Sequence, residues 1–220
     1  MRLEELDEVC RLLEEVGFEV GEARSMRLHQ PTLDELMGME EPEELEVLTA
    51  LHPTPLDEGG GLEVDGFLAV DASSVKLGET PEGVVAACRV AVASLSSRGA
   101  SLLRAGPYVF HITWNNRAEL YNRLRSMLDL GELPASEAPS VDKMVDRARS
   151  LVERLFQLAA ARSVDGYVLL WDGSLRAGTV DTPMELARRI LREASSRGCH
   201  VAAFSKTCLL YTSPSPRDRG

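Results

Sequence analysis

Two aspartates stand where short apolar segments end, and small residues follow both. Asp71 comes after the run GFLAV and before Ala-Ser-Ser, and Asp172 comes after YVLLW and before Gly-Ser. Apolar runs of this length are typical of buried β-strands. If the two strands are parallel neighbours, their backbones lie about 4.8 Å apart and the two carboxylates meet.

A pair of carboxylates at such a distance predicts a cation. The two charges repel, and one group takes up a proton unless a cation lies between them. Hard divalent cations prefer oxygen ligands, so the pair indicates Mg²⁺ or Mn²⁺. Each segment alone also fits a plain turn, because Asp and Gly suit turns. The prediction therefore depends on the match between the two segments.

The order of the remaining segments predicts how the two strands come together. The patterns indicate a helix over 1–16, three strands, two helices, a strand, a helix and a final strand. After the first helix, the predicted bounds are 66–72, 84–94, 107–113, 115–130, 141–162, 167–171, 183–197 and 200–206. Residues 76–83 and 96–106 have the composition of turns or hairpins.

Three hairpin-linked strands followed by right-handed crossovers are the ribonuclease H-like plan. This fold is α/β, with a mixed sheet of three antiparallel strands and later parallel additions, flanking helices and here an N-terminal helical segment. Its first and fourth strands are parallel neighbours. Asp71 and Asp172 are therefore expected at one end of the sheet, where α/β folds bind ligands.

The charge of the chain is unevenly distributed. Residues 1–65 carry 19 Asp/Glu against 4 Lys/Arg, a net charge of −15. Residues 66–207 carry 15 against 18, a net charge of +3. We interpret 1–65 as an acidic helical segment and 66–207 as the domain with the site. The mildly basic domain permits DNA as a partner.

Targeting and cysteine signals are weak. No run of 18 apolar residues occurs, which predicts no membrane span. The N-terminus is acidic and amphipathic, unlike a signal peptide. The four cysteines, at 10, 88, 199 and 208, lack CxxC spacing. We therefore expect neither a zinc site nor a disulfide framework. The expected location is the reducing cytoplasm.

The last residues differ from the rest of the chain. The segment CLLYTSPSPRD, residues 208–218, matches a translated transposase sequencing adapter without a mismatch. We interpret 208–220 as an artefactual tail and expect the domain to be incomplete at its C-terminus. The alternative is a natural Pro/Ser-rich tail.

Four segments in order resemble the NurA family of DNA-end-processing nucleases: LAVDASS, RARSLVERLFQLA, LLWDGSL and HVAAFSK. The resemblance covers roughly residues 60–207 and depends on order and spacing. Ala72 departs from the glycine that the family commonly has after the first aspartate. The resemblance implies a ribonuclease H-like, mostly archaeal, metal-dependent exonuclease or endonuclease of 5′–3′ type. Such enzymes resect DNA ends in double-strand break repair by homologous recombination, as homodimers working with a HerA-type hexameric helicase-translocase.

The resemblance also implies a third ligand. It assigns Asp71, Glu153 and Asp172 as catalytic residues that bind Mn²⁺ or Mg²⁺. Glu153 lies in the predicted helix 141–162, about 100° from Val152, at the margin of the apolar stripe. A margin position can reach the end of the sheet. The alternative is a solvated surface glutamate paired with Arg149 or Arg154.

Other polar residues are candidates for substrate contacts. Lys206, at the end of the last strand, is the best basic candidate for a phosphate contact. Ser174, like Ser73 and Ser74, either orients phosphate or metal-bound water or completes a turn. We expect His111 to be packed, and Trp114 to stack on a base only if it is exposed.

Two further functions stay open. An actin/sugar-kinase-like ATPase shares this topology but needs Gly/Thr-rich hairpins after both acids. The segment DASSVKLGET offers Gly78 and Thr80 without a tight Gly-Gly-Thr turn. A catalytically inactive scaffold would dock DNA or the helicase, with residues 1–65 as the docking arm.

Overall fold

A mixed sheet with flanking helices forms the described part of the protein. The computed structural model describes residues 4–17, 27–28, 63–172 and 178–204. The strands are β1 (Arg27–Leu28), β2 (Gly66–Thr80), β3 (Gly83–Ser96), β4 (Gly99–Thr113), β5 (Tyr167–Asp172) and β6 (His200–Phe204). The helices are α1 (Glu4–Gly17), α2 (Arg117–Ser126), α3 (Val141–Ser163) and α4 (Met184–Ser196).

The strand order is β4-β3-β2-β5-β6, with β1 paired to the distal part of β2. Strands β2, β3 and β4 are antiparallel, whereas β5 joins β2 in parallel and β6 joins β5 in parallel. This order is the ribonuclease H-like plan, so the predicted α/β fold class is confirmed. The prediction for the two aspartates required their strands to be parallel neighbours, and β2 and β5 are.

The three antiparallel strands are longer than predicted. Residues 76–80 and 99–106, predicted as turn or hairpin material, belong to β2 and β4, and the turns are the two-residue segments 81–82 and 97–98. A register shift precedes Gly78 in the pairing of β2 with β3. Glycine inside a strand often marks a bulge, and Gly78 does so here. The turn prediction was wrong because it interpreted this glycine as part of a turn.

Asp71 therefore lies within β2, not at its end as predicted. The parallel ladder of β2 with β5 runs from the pair Gly66–Tyr167 to the pair Val70–Trp171. Asp71 is the next residue after the last pair. Asp71 was predicted at the end of a strand, and it lies instead just past the end of the ladder between β2 and β5.

The helices follow the predictions with shifts at their ends. The second helix ends at Ser126 instead of residue 130, and Asn116 occupies its N-cap position. The side chain of Asn116 does not cap the helix, because its oxygen accepts from the Thr113 amide over 2.8 Å. The fourth helix follows Pro183 and ends before Gly198, whose φ of 65° suits glycine.

One face of the sheet packs against α3. Residues alternate along β2, so Leu68 and Val70 are buried while Phe67 and Asp71 are exposed. The same core includes Leu6 of α1 together with most of the apolar stripe of α3. Val145 of α3 is only partly buried against this core. Within the described ranges, no helix is long and apolar enough to cross a membrane.

Several predictions lie outside the described residues. They concern most of the acidic helical segment between residues 18 and 62, Ser174, Lys206 and the tail at 208–220.

Candidate functional site

Asp71 and Asp172 lie side by side on neighbouring parallel strands. Each follows directly on a member of the last ladder pair, Val70–Trp171. Both residues are exposed. Each is also paired on its outer side, Asp71 with a residue of β3 and Asp172 with a residue of β6. The strands therefore present two carboxylates together at an accessible part of the sheet.

Glu153 lies on α3, the helix that packs against β2, and is only 8% exposed. Burial raises the pKa of its carboxyl above the usual value, whereas the positive charges of Arg154 and Arg149 lower it. The negative charges of Asp71 and Asp172 add to the rise. The Glu153 carboxyl therefore lies in the electrostatic field of both aspartates.

The two oxygens of the Glu153 carboxylate have different partners. Oε1 accepts a hydrogen bond from Gln157 Nε2 over 3.1 Å, and Oε2 contacts Arg149 Nη1 over 3.4 Å. The Arg149 pairing proposed for a surface glutamate is thus present, but the carboxylate is buried and not solvated. The second distance is long for a charged hydrogen bond, so Oε2 is the more weakly held oxygen.

The donor chemistry of this region fits a hard divalent cation, because all three candidates supply carboxylate oxygens. Among the residues that the structure describes, no three His, Cys, Asp or Glu side chains form a group close enough to hold a metal ion. Glu153 instead contacts Gln157 and Arg149. The aspartate pair is the part of the candidate site that the strands bring together directly, with Glu153 as its buried neighbour.

Other candidates are spread more widely. Ser174 and Lys206 lie outside the described residues. His111 is buried, and its Nε2 lies 3.0 Å from Thr80 Oγ1, in agreement with a packed residue. Trp114 is 62% exposed, but its amide donates to Glu82 in the β2–β3 turn. Trp114 therefore lies beside the β2–β3 turn, at the end of β2 that is distant from Asp71.

Sequence reasoning named Arg149 and Arg154 as partners of Glu153 but missed Gln157. Gln157 is one helical turn further on, a spacing that predicts a contact. It is 1% exposed and accepts a hydrogen bond from Arg154 over 2.6 Å. Arg154 also lies over the ring of Trp171, 5.4 Å from its centroid. That second contact joins α3 to β5, and no local spacing reveals it.

A second buried carboxylate, Asp181, was also missed. It lies between β5 and α4, is 3% exposed, and accepts hydrogen bonds from the Tyr121 hydroxyl and the Arg147 guanidinium. Burial, followed by the hydrogen bond to Asp181, raises the pKa of Tyr121 to about 12. The neighbouring Val180 carbonyl accepts from Arg125 over 2.8 Å. These contacts fasten the segment before α4 to α2 and α3.

No protein-family profile and no curated protein sequence matches the chain. Among solved structures, the chain is similar to one of the foamy viral protease-reverse transcriptase in complex with an RNA/DNA hybrid, at 8% identity and a TM-score of 0.28. The similarity covers 77% of this chain and 22% of that chain. A likeness of this strength does not identify a function, and the fold class depends on the strand order described above.

Proposed function

We propose that the protein is a divalent-metal-dependent deoxyribonuclease that hydrolyses phosphodiesters at DNA ends. The proposal depends chiefly on the register of β2 and β5, which sets Asp71 beside Asp172. The buried carboxyl of Glu153 responds to the charges of both. A carboxyl whose pKa is raised by burial and by neighbouring acids, next to an exposed surface, is typical of catalytic sites.

The proposed roles of the side chains follow from their surroundings. Asp71 and Asp172 are exposed and would hold Mn²⁺ or Mg²⁺ where a DNA strand has access to it. Glu153 would add Oε2, which among the described residues makes the long contact with Arg149 alone. The bound ion would supply an activated water and would stabilise the charge that develops on the phosphate.

The proposed biological role comes from the resemblance to the NurA family. It is resection of DNA ends in double-strand break repair, carried out by a homodimer together with a HerA-type hexameric helicase-translocase. The net charge of +3 over residues 66–207 is compatible with a DNA partner. Lys206 and Ser174 remain the proposed phosphate contacts.

The proposal is tested by removing the charge of each candidate ligand. We expect Asp71→Asn, Asp172→Asn and Glu153→Gln to lower Mn²⁺-dependent cleavage of linear DNA by about a thousandfold, because a catalytic metal supplies several kcal/mol of transition-state stabilisation. Circular dichroism checks that each variant is folded. Asp146→Asn is the matched control, since Asp146 is an exposed carboxylate on the same helix. Cleavage at wild-type rates by both folded aspartate variants would overturn the proposal.

The same assays separate the alternatives. ATP turnover without cleavage would indicate the ATPase, although the β2–β3 turn at 81–82 lies far along β2 from Asp71. An inactive scaffold would bind DNA or the helicase, and Mn²⁺ would leave its thermal stability unchanged. A ligand that binds only the native state must stabilise that state.

A further inference from the structure

The hydrogen bond that holds Glu153 is the end of a longer series. Gln157 donates to Glu153 through Nε2 over 3.1 Å and accepts from Arg154 Nη1 through Oε1 over 2.6 Å. Arg154 Nε donates in turn to Thr182 Oγ1 over 3.3 Å. The series thus runs from the candidate site along α3 to the segment between β5 and α4.

The chemistry of these groups fixes the orientation of the Gln157 amide. A guanidinium can only donate hydrogen bonds, so Arg154 must face the carbonyl oxygen of Gln157. The NH₂ group then faces Glu153, whose carboxylate can only accept when it is ionised. Since Gln157 is almost fully buried, a flipped amide would leave both neighbours without their bonds. One orientation of the amide satisfies all three side chains.

Arg154 is itself held from a second direction. Its guanidinium lies over the ring of Trp171, the residue that immediately precedes Asp172. A cation over an indole face is attracted to it, most strongly where water is excluded. The same arginine therefore contacts the strand that carries Asp172 and the amide that holds Glu153.

We infer that Gln157 is a positioning residue for the candidate metal site. It fixes Oε1 of Glu153 and leaves Oε2 as the oxygen for the ion. Arg154, which also contacts Trp171 of β5, holds the amide of Gln157 in place. This inference rests on the proposed function, because it treats Glu153 as a ligand. Hydrogen bonds to a metal-binding side chain typically change metal affinity by about 10–100-fold.

The test replaces the amide and measures Mn²⁺ binding directly. Gln157→Met keeps the length of the side chain and removes both hydrogen bonds. We expect the dissociation constant for Mn²⁺, measured by calorimetry on the full chain without DNA, to rise about tenfold. The Mn²⁺ concentration for half-maximal cleavage should rise by a similar factor, with a smaller change in the rate at saturating Mn²⁺.

The matched control is Asn122→Leu. The Asn122 amide also makes one donor and one acceptor bond, to the carbonyl and the amide of Leu133 over 2.9 and 3.0 Å. It lies on α2, away from Glu153. We expect this variant to lose a comparable pair of hydrogen bonds and to bind Mn²⁺ as tightly as the wild type.

The outcomes separate the inference from the proposed function. If Glu153→Gln loses Mn²⁺ binding while folded Gln157→Met keeps wild-type affinity, the positioning role is overturned and the proposed function stands. If Glu153→Gln binds Mn²⁺ as the wild type does, Glu153 is not a ligand and the positioning role is overturned, whereas the proposed function falls only if both aspartate variants also cleave DNA at wild-type rates. Should Gln157→Met fail to fold, Thr182→Val tests the positioning role instead, because it removes only the hydroxyl that accepts from Arg154. We expect that variant to weaken Mn²⁺ binding about threefold, and unchanged affinity would overturn the inference.

Discussion

Two carboxylates are buried beside α3, and their surroundings are opposite in character. Asp181 accepts from the Tyr121 hydroxyl and from Arg147, so a positive group compensates its charge. Glu153 has an amide partner at 3.1 Å and an arginine at 3.4 Å, and the positive charges of Arg154 and Arg149 act on it together with the smaller effects of two other acids. A buried carboxylate with one direct counter-ion is typical of a structural contact, whereas one whose pKa is shifted by burial and by several neighbouring charges is a candidate for a functional site. The comparison indicates a structural role for Asp181 and agrees with the role proposed for Glu153.

The largest expected effect is on the structural member of this pair. We expect Asp181→Ala to lower the free energy of unfolding by about 3 kcal/mol, because the buried Tyr121 hydroxyl loses its acceptor and Arg147 loses its counter-ion. Arg147 is partly exposed and can regain water, which keeps the loss at the lower end of the range for buried pairs. Urea denaturation measures it. A loss below about 0.5 kcal/mol, the level of an ordinary surface substitution, would remove the contrast.

The second prediction concerns Mn²⁺ as a stabilising ligand. At about 100 times its dissociation constant, Mn²⁺ should raise the free energy of unfolding of the wild type by about 2.7 kcal/mol. Asp181→Ala should keep most of this increment on its lower baseline, since Asp181 is not one of the candidate ligands. Glu153→Gln should show little of it at the same concentration. Thermal melts with and without Mn²⁺ give the increments, and an equal response in all three proteins would break the comparison.

The smallest expected effect is the stability of Glu153→Gln without metal. Its amide carries no charge to bury or to repel Asp71 and Asp172. We expect the variant to be as stable as the wild type at pH 7, or more stable by up to about 1 kcal/mol. A loss of stability comparable to that of Asp181→Ala would show that Glu153 is structural as well.

The pH dependence sharpens this third prediction. The pKa of Glu153 is raised in the folded protein, so the folded state holds its proton to higher pH than the unfolded state, where the pKa is about 4.3. Its contribution to stability is fully present below that value and is lost as the pH rises through the folded pKa. The melting temperature of Glu153→Gln relative to the wild type should therefore increase from pH 4 to pH 7. A difference in melting temperature that stays constant from pH 4 to pH 7 would contradict the raised pKa of Glu153.

The sequence predicts the sheet and the aspartate pair because their signals are local and repeated. Each strand shows its own apolar run, and two runs share the ending that brings Asp71 and Asp172 together. The margin position of Glu153 on its helix is likewise visible in the helical period. The reach of β2 beyond Asp71 was not predicted, because a bulge at Gly78 resembles a turn in composition.

Contacts between distant segments could not be predicted from one sequence. Asp181 is buried by Tyr121 and Arg147, which are 60 and 34 residues away. Arg154 meets Thr182 across 28 residues and carries no local sign of doing so. Such contacts follow from how helices pack on the sheet, and the packing is fixed only once all elements are in place.

The end of the β2–β5 ladder has a consequence for the choice of ion. Asp71 is held from outside by Ala91 of β3, and Asp172 by Phe204 of β6, while the ladder between their own strands ends one residue earlier. The two aspartates are thus paired to β3 and β6 and not to each other. If the pair binds an ion as proposed, ions of different radius, from Mg²⁺ to Mn²⁺ and Ca²⁺, should bind without breaking a pairing between β2 and β5.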